Sequence, residues 1–202
     1  LLIMKKLILL FFSIATFSQN NVSESVWDKG FYAKYDEKTF INFNSFYNTI
    51  NIKKIDYPLL HAAIFYLTNN ERIKRNIEPF KWNLNLEIAA YNHSKDMVTR
   101  NYFSHLSKKK LQKRGRLAGI TNSNLAENIA ITFPINYNTQ QAYYTHSKNS
   151  SINGEFRFSY DNNESNLIPF HSYLSLGKSL VKQWMNSTGH RENILSNNGL
   201  EL

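Results

Sequence analysis

Apolar residues recur every three or four positions in three stretches of this chain, and each stretch predicts an amphipathic helix. The first runs over residues 58 to 75, with Pro58 in its first turn, and ends before Pro79. The second spans residues 84 to 100. The third spans residues 172 to 185 and is followed by a Ser-Thr-Gly turn and a short helix over residues 190 to 195.

His93 falls on the apolar face of the second predicted helix. It shares that face with Leu86, Ala89, Ala90 and Met97, so the imidazole should point inward. Buried polar groups in proteins are normally hydrogen-bonded. We therefore expect a core histidine with a hydrogen-bond partner rather than a ligand-binding one.

The segments between these helices show weaker patterns. Residues 107 to 123 are basic and polar, with glycines at 115 and 119 as breaks, and predict a loop with one short helical turn. A short helix carrying Glu127 should follow. Residues 134 to 171 form an insertion, in which the alternation over residues 155 to 160 predicts a strand or hairpin.

The beginning of the chain has the pattern of a signal peptide over residues 1 to 18. Lys5 and Lys6 precede the apolar residues 7 to 15, and residues 16 to 18 offer a cleavage site, whereas residues 1 to 3 stand upstream of Met4 and of the expected true start. The apolar run is shorter than the roughly 20 residues that a transmembrane helix needs. We expect an exported protein, secreted or periplasmic, with no transmembrane segment after removal of the signal.

The remaining composition favours one globular domain. The 202 residues are 42% hydrophobic and contain no cysteine, which excludes disulfides and thiol chemistry. We divide the chain into an N-terminal extension over residues 19 to 57 and a domain over residues 58 to 202. Stability must then come from packing alone.

The net charge of +9 is concentrated in one place, since six basic side chains lie within residues 108 to 116. Such a run indicates either a solvated loop, which is the commoner case, or contact with an anionic surface such as an envelope polymer or lipid headgroup. No aromatic residue interrupts the run, so we expect no nucleic acid partner.

Several short motifs occur in an order that resembles the CAP superfamily, which groups cysteine-rich secretory, antigen-five and pathogenesis-related proteins. The similarity is to the cysteine-free bacterial branch of SCP-like extracellular proteins and covers residues 59 to 197, apart from the insertion. The motifs are Asn70-Glu-Arg72, Phe80-Lys-Trp-Asn-Leu84, His93-Ser-Lys-Asp-Met97, Phe103-Ser-His105, Ala126-Glu-Asn-Ile129 and Trp184-Met-Asn-Ser-Thr-Gly-His-Arg-Glu-Asn-Ile-Leu195.

The resemblance implies an α+β fold, a three-layer α-β-α sandwich with a small antiparallel sheet. It also implies a wide cleft lined by two histidines and two acidic residues. On the matching positions these are His105, His190 and Glu127, whereas Ser187 occupies the place of the second acidic residue. Family members continue into further strands after the last motif, so we expect this fold to be incomplete at its C-terminus.

Neutral imidazole and carboxylate groups suit zinc, and three protein ligands with an open fourth position are typical of a catalytic zinc site. His105, His190 and Glu127 are therefore candidate metal ligands. Glu127 has an alternative role, because Asn124 and Glu127 have capping-box spacing at a helix start. Arg191 could hold the Glu127 carboxylate through its rigid fork of donors, or bind a carbonyl at a helix C-terminus.

These residues support two hypotheses on function. The first is a secreted, non-enzymatic protein that binds a small molecule, a lipid or an envelope polymer through the cleft and the basic run. The second is a metal-dependent hydrolase, in which Glu127 would be the third ligand or the general base. A serine nucleophile is not indicated, because the sequence contains no Gly-x-Ser-x-Gly motif.

Overall fold

The computed structural model describes residues 7–8, 25–106, 110–121, 125–137, 140–146, 157–197 and 202. This part of the chain is an α+β fold with a small antiparallel sheet, as predicted. Its helices are α1 (Phe31–Lys34), α2 (Tyr57–Ile73), α3 (Leu84–Thr99), α4 (Leu111–Leu117), α5 (Tyr173–Asn186) and α6 (Thr188–Leu195), and its strands are β1 (Leu7–Ile8), β2 (Glu127–Asn128), β3 (Tyr144–His146) and β4 (Arg157–Ser159).

The three long predicted helices are confirmed to within two residues at each end, and side-chain caps explain where they begin. Asp56 accepts a hydrogen bond from the Leu59 N–H at the start of α2, and Asn83 accepts from the first turn of α3. Ser172 forms a capping box with Ser175 at the start of α5. Such caps satisfy backbone N–H groups that have no partner inside the helix.

A first core lies where α2, α5 and α6 pack together, and the N-terminal extension is part of it. Trp27, Phe40 and Phe46 are buried in this core, and the Trp27 ring meets the Phe43 ring edge to face at a centroid distance of 5.3 Å. The aromatic richness of residues 25 to 50 is therefore explained by packing on α2.

A second, smaller core lies against α3, and residues 125 to 130 separate the two cores. Leu125 and Ile129 belong to the second core, whereas Ala130 belongs to the first. The Trp184 indole N–H of α5 donates to the Ile129 carbonyl at 3.2 Å. The segment that contains Glu127 thus lies between two groups of helices.

The predicted helix around Glu127 is wrong, because Glu127 and Asn128 form strand β2. Both residues are buried and the segment has neighbours on both sides, which an extended backbone accommodates. Asn124 lies outside the described residues, and Glu127 cannot be the third residue of a helix, so the capping-box alternative fails. β2 pairs in parallel with Leu7 and Ile8 of β1, and the other residues of the predicted signal peptide lie outside the described residues.

Two further expectations concern the connecting segments. The strand alternative over residues 155 to 160 is confirmed as β4, which pairs antiparallel with β3, with Thr145 opposite Phe158. Residues 111 to 117 form a helix longer than the single turn expected, and Gly115 is part of it instead of a break. A Cβ at Gly115 would collide with the Leu125 side chain, so close packing explains this glycine. Gly119, with φ of +83°, ends the helical segment.

Within the described residues, no helix combines the length and the apolar character that crossing a bilayer requires.

Candidate functional site

The Glu127 carboxylate on β2 is the centre of a buried polar cluster. Only 2% of its side chain is exposed. Its Oε1 atom accepts a hydrogen bond from His105 Nδ1 at 2.8 Å, and its Oε2 atom forms an ion pair with the Arg114 guanidinium. Both carboxylate oxygens therefore have strong partners.

Arg114 joins two parts of the cluster. Besides pairing with Glu127, its Nη1 atom donates to the His105 carbonyl at 3.3 Å. The side chain is 8% exposed, so the prediction of a solvated basic run is wrong for this residue. Helical spacing in the sequence carried a usable signal, because Arg114 lies with Gly115 on the face of α4 that also includes Leu111 and Ala118.

His93 lies beside the same carboxylate, as a buried residue of α3. Its Nε2 atom is 3.2 Å from the Ser104 carbonyl and 3.8 Å from Glu127 Oε1. Burial lowers the pKa of His93, and the nearby Glu127 only partly opposes this effect. The prediction of a hydrogen-bonded core histidine is confirmed, and the imidazole is neutral at neutral pH.

His105 presents one face of its imidazole to solvent. A carboxylate can only accept hydrogen bonds, so Nδ1 carries the proton in the bond to Glu127. In the neutral imidazole Nε2 is then an unprotonated lone-pair donor. The side chain is 51% exposed, which leaves this nitrogen available to a ligand.

His190 lies on α6, and its ring is close to that of His105. The two ring centroids are 6.2 Å apart. Burial lowers the pKa of His190, and repulsion from a charged His105 lowers it further. The structure therefore brings together three of the predicted site residues, namely His105, Glu127 and His190.

Two asparagines that sequence reasoning missed hold α6 against β2. Asn128 Nδ2 donates to the His190 carbonyl at 3.0 Å, and Asn193 Nδ2 donates to Asn128 Oδ1 at 2.8 Å and to the Glu127 carbonyl at 3.3 Å. Asn128 is fully buried. Both residues belong to the motifs shared with the CAP superfamily, Asn128 next to Glu127 and Asn193 close to His190. This position in the sequence could have indicated that they belong to the site.

Arg191 and Ser187 have other roles. Arg191 Nη1 donates to the Met185 carbonyl at 2.9 Å, which confirms the helix-carbonyl alternative, and Arg114 takes the expected place beside Glu127. Ser187 joins α5 to α6, where its carbonyl accepts the Arg191 N–H at 2.8 Å. It lies at the junction of the two helices with its side chain half-buried.

The three candidate zinc ligands differ in how well they fit that role. No group of three or more His, Cys, Asp or Glu side chains in the described part of the chain could hold a metal ion. The imidazoles of His105 and His190 are close enough for small rotations to bring them together. Glu127 is bonded to Arg114 and to His105, so it fits the carboxylate that orients a metal-binding histidine better than it fits a ligand.

Comparisons with known proteins agree with the motif order. Residues 65–198 match the family described as "CAP: Cysteine-rich secretory protein family". The chain is similar to the protein named "Uncharacterized membrane protein YlbC" of Bacillus subtilis (strain 168), with 26% identity over 141 residues, or 69% of this chain. The matched region spans 29% of that relative's length. No solved structure matches the chain.

Replacing Arg114 with methionine should destabilise the fold strongly. The variant would leave the buried Glu127 carboxylate without its cation, a change that typically costs about 3 to 5 kcal/mol of unfolding free energy. Urea unfolding measures this loss. Arg116→Met is the matched control, because Arg116 is exposed on the same helix and should change stability by no more than about 0.5 kcal/mol. Equal effects of the two variants would contradict the structural role of the pair.

The stability of the protein should fall as the pH drops below about 6.5, the ordinary pKa of histidine. Because the folded-state pKa of His93 is lowered, the unfolded chain binds a proton that the folded chain does not, and acid then favours unfolding. His171 and His190 act in the same direction. Carboxylates with lowered pKa values, such as Glu87, begin from ordinary values near 4.5 and act mainly at lower pH.

His93→Gln tests whether His93 causes the loss of stability at low pH, since the glutamine amide can still donate to the Ser104 carbonyl but does not titrate. Urea unfolding at several pH values between about 5 and 7 should show a shallower decline than in the wild type. The largest possible difference is about 1.4 kcal/mol per pH unit. Parallel curves for the two proteins would show that His93 does not carry the pH dependence.

Proposed function

Because the chain belongs to the cysteine-rich secretory protein (CAP) family, we propose that it is an exported, non-enzymatic protein that binds an anionic ligand or envelope surface at the cleft of His105 and His190. The family match includes both histidines and Glu127. Export rests on the predicted signal peptide, and an envelope location also agrees with the name of the Bacillus relative, which calls it a membrane protein.

The main support for this proposal is the difference in exposure between the side chains of Glu127 and His105. Glu127 is 2% exposed and paired with Arg114, so the cleft does not offer a free negative charge. His105 is 51% exposed and offers an imidazole. Between these two residues, a ligand would thus meet the imidazole of His105 and not the carboxylate of Glu127.

Exposed cations next to the cleft favour an anionic partner. Lys110, Lys113 and Arg116 are exposed on or at the start of α4, the helix whose Arg114 bonds the His105 carbonyl. A phosphate or carboxylate group at His105 would therefore be attracted by the positive charge of this helix. Such clusters raise the local concentration of anions and strengthen binding at low salt.

Sedimentation with lipid vesicles tests this proposal. The protein should sediment with vesicles of phosphatidylglycerol and phosphatidylcholine in equal parts, less so with phosphatidylcholine alone, and the difference should shrink as salt is added. Replacing Lys110, Lys113 and Arg116 together with glutamine should weaken the binding several-fold. Soluble poly(glycerol phosphate) should compete if the partner is an envelope polymer.

A control variant with the same change in net charge tests whether the position of the cations matters. Lys34, Lys53 and Lys54 are exposed and lie outside α4, so their triple replacement with glutamine removes the same charge elsewhere. Equal losses in the two triple variants would indicate a general effect of net charge and contradict a particular role for the cations on and at the start of α4. His105→Ala should weaken the binding further if the imidazole contacts the anion.

A metal-dependent hydrolase is the second candidate, and the hydrogen bond from His105 to Glu127 favours it. Carboxylates commonly hold metal-binding histidines in this way. His105 and His190 would hold the ion, and Glu127 would fix the tautomer and orientation of His105. Bound zinc would supply an activated water for hydrolysis. The pairing of Glu127 with Arg114 makes this carboxylate a poor general base.

Zinc titration by calorimetry separates the candidates. A metal site predicts one zinc per chain, lost in His105→Ala and in His190→Ala, and weakened about 10- to 100-fold in Glu127→Gln. His146→Ala is the control, since His146 lies on β3 and bonds Ser159. Binding that survives both cleft substitutions, or no binding by the folded protein, would remove the hydrolase candidate and leave the anion-binding proposal untouched.

A further inference from the structure

A second histidine–carboxylate pair lies in a pocket between α2 and α3, and it shares no residue with the cleft. The pocket has about 520 Å³ of empty space, including its open mouth. His61 from α2 and Glu87 from α3 supply its polar groups. Aromatic side chains form much of its wall, namely Tyr32, Phe65, Trp82 and Tyr91.

Glu87 is held as an ionised carboxylate. Its Oε1 atom accepts from His61 Nδ1 at 2.9 Å, and its Oε2 atom accepts from the Trp82 indole N–H at 2.8 Å. Burial alone would raise the pKa of Glu87, but these hydrogen bonds and the charge of His61 outweigh it and keep the pKa below its usual value. A carboxylate has about four lone-pair positions, so it can accept more than these two bonds.

Unlike Glu127, Glu87 has no arginine among the residues that line its pocket. The residues that line the pocket, all within the described ranges, include neither lysine nor arginine. Lys29 lowers the pKa of Glu87 slightly from outside the pocket and is itself exposed. When the His61 imidazole is neutral, Glu87 therefore gives the pocket lining a negative charge, in a chain whose net charge is +9.

The aromatic wall is suited to a cation as well. The rings of Tyr32 and Trp82 are stacked, with their centroids 4.6 Å apart. Tyr91 is 39% exposed, and its ring packs edge to face against the Tyr57 ring. Aromatic faces carry partial negative charge and attract ammonium groups, most strongly where water is excluded. A neutral molecule would gain only from the apolar contacts.

We propose that this pocket binds a small organic ammonium ion, with its charge towards Glu87 and its carbon atoms among the aromatic side chains. A structural ion pair alone would not explain the open, aromatic-lined space, since the His61 and Glu87 side chains are each still 18% exposed to it. The combination of carboxylate and aromatic rings selects the charge, and the limited space selects a small ligand.

Choline and 3,3-dimethyl-1-butanol test the proposal, because the alcohol has nearly the same shape as choline but no charge. Calorimetric titration should show saturable binding of choline, at least about tenfold tighter than binding of the alcohol. Glu87→Gln should lower choline affinity towards that of the alcohol, with the aromatic rings alone supplying any remaining difference. Glu71→Gln is the matched control, because Glu71 lies on α2 outside the pocket and should leave choline affinity unchanged.

A second variant keeps the proposal testable if the Glu87→Gln protein does not fold. Tyr91 is partly exposed, so Tyr91→Ala should fold and should weaken choline binding several-fold while Glu87 stays intact. Equal affinities for choline and the alcohol, an unchanged affinity in Glu87→Gln, or no saturable choline binding would each overturn the proposal.

Two further experiments identify the source of the ammonium group and distinguish binding in this pocket from binding at the cleft. Sedimentation with phosphatidylcholine vesicles that is lost in Glu87→Gln would support a lipid headgroup, and choline binding without sedimentation would support a free ligand. His105→Ala should leave choline affinity unchanged, so the ammonium site and the anion-binding cleft can fail independently.

Discussion

The buried ion pair between Arg114 and Glu127 is the interaction on which the polar cluster around β2 depends. A carboxylate that is 2% exposed would be costly without a cation, and Arg114 is the cation that reaches it. Because Arg114 also bonds the His105 carbonyl, the pair fixes α4, β2 and the segment after α3 relative to each other. The protonation of His105 at Nδ1, and hence the nitrogen that faces solvent, follows from this arrangement.

The contact between β2 and α6 depends on neutral hydrogen bonds. Asn128 and Asn193 join β2 to α6, and the Trp184 indole joins α5 to the same segment at Ile129. β2 is therefore held from both sides, by an ion pair towards α4 and by amides towards α6. His105 and His190 meet because each is attached to this one short strand by partners on opposite sides.

Much of this arrangement followed from sequence, and the failures have a common cause. Helical periodicity placed α2, α3 and α5 and turned His93 inward, because amphipathic faces are a local signal. The strand at Glu127 was missed, since a two-residue strand buried on both sides has no periodicity to detect. Arg114 was missed because it lies within a run of basic residues, which is typical of solvated surface, and its partner lies 13 residues away. Contacts between segments distant in sequence decided both cases.

The two histidine–carboxylate pairs show how neighbours set the charge of a site. Glu127 and Glu87 both accept a hydrogen bond from a histidine Nδ1, at 2.8 Å and 2.9 Å. Arg114 neutralises Glu127, and α4 carries further cations, Lys113 and Arg116, that are exposed. Glu87 has an indole N–H in place of the guanidinium, and an indole supplies a hydrogen bond without a charge. The same pair of residue types has a guanidinium beside it in one site and an indole in the other, and this difference is why we propose an anionic ligand for the first and a cationic ligand for the second.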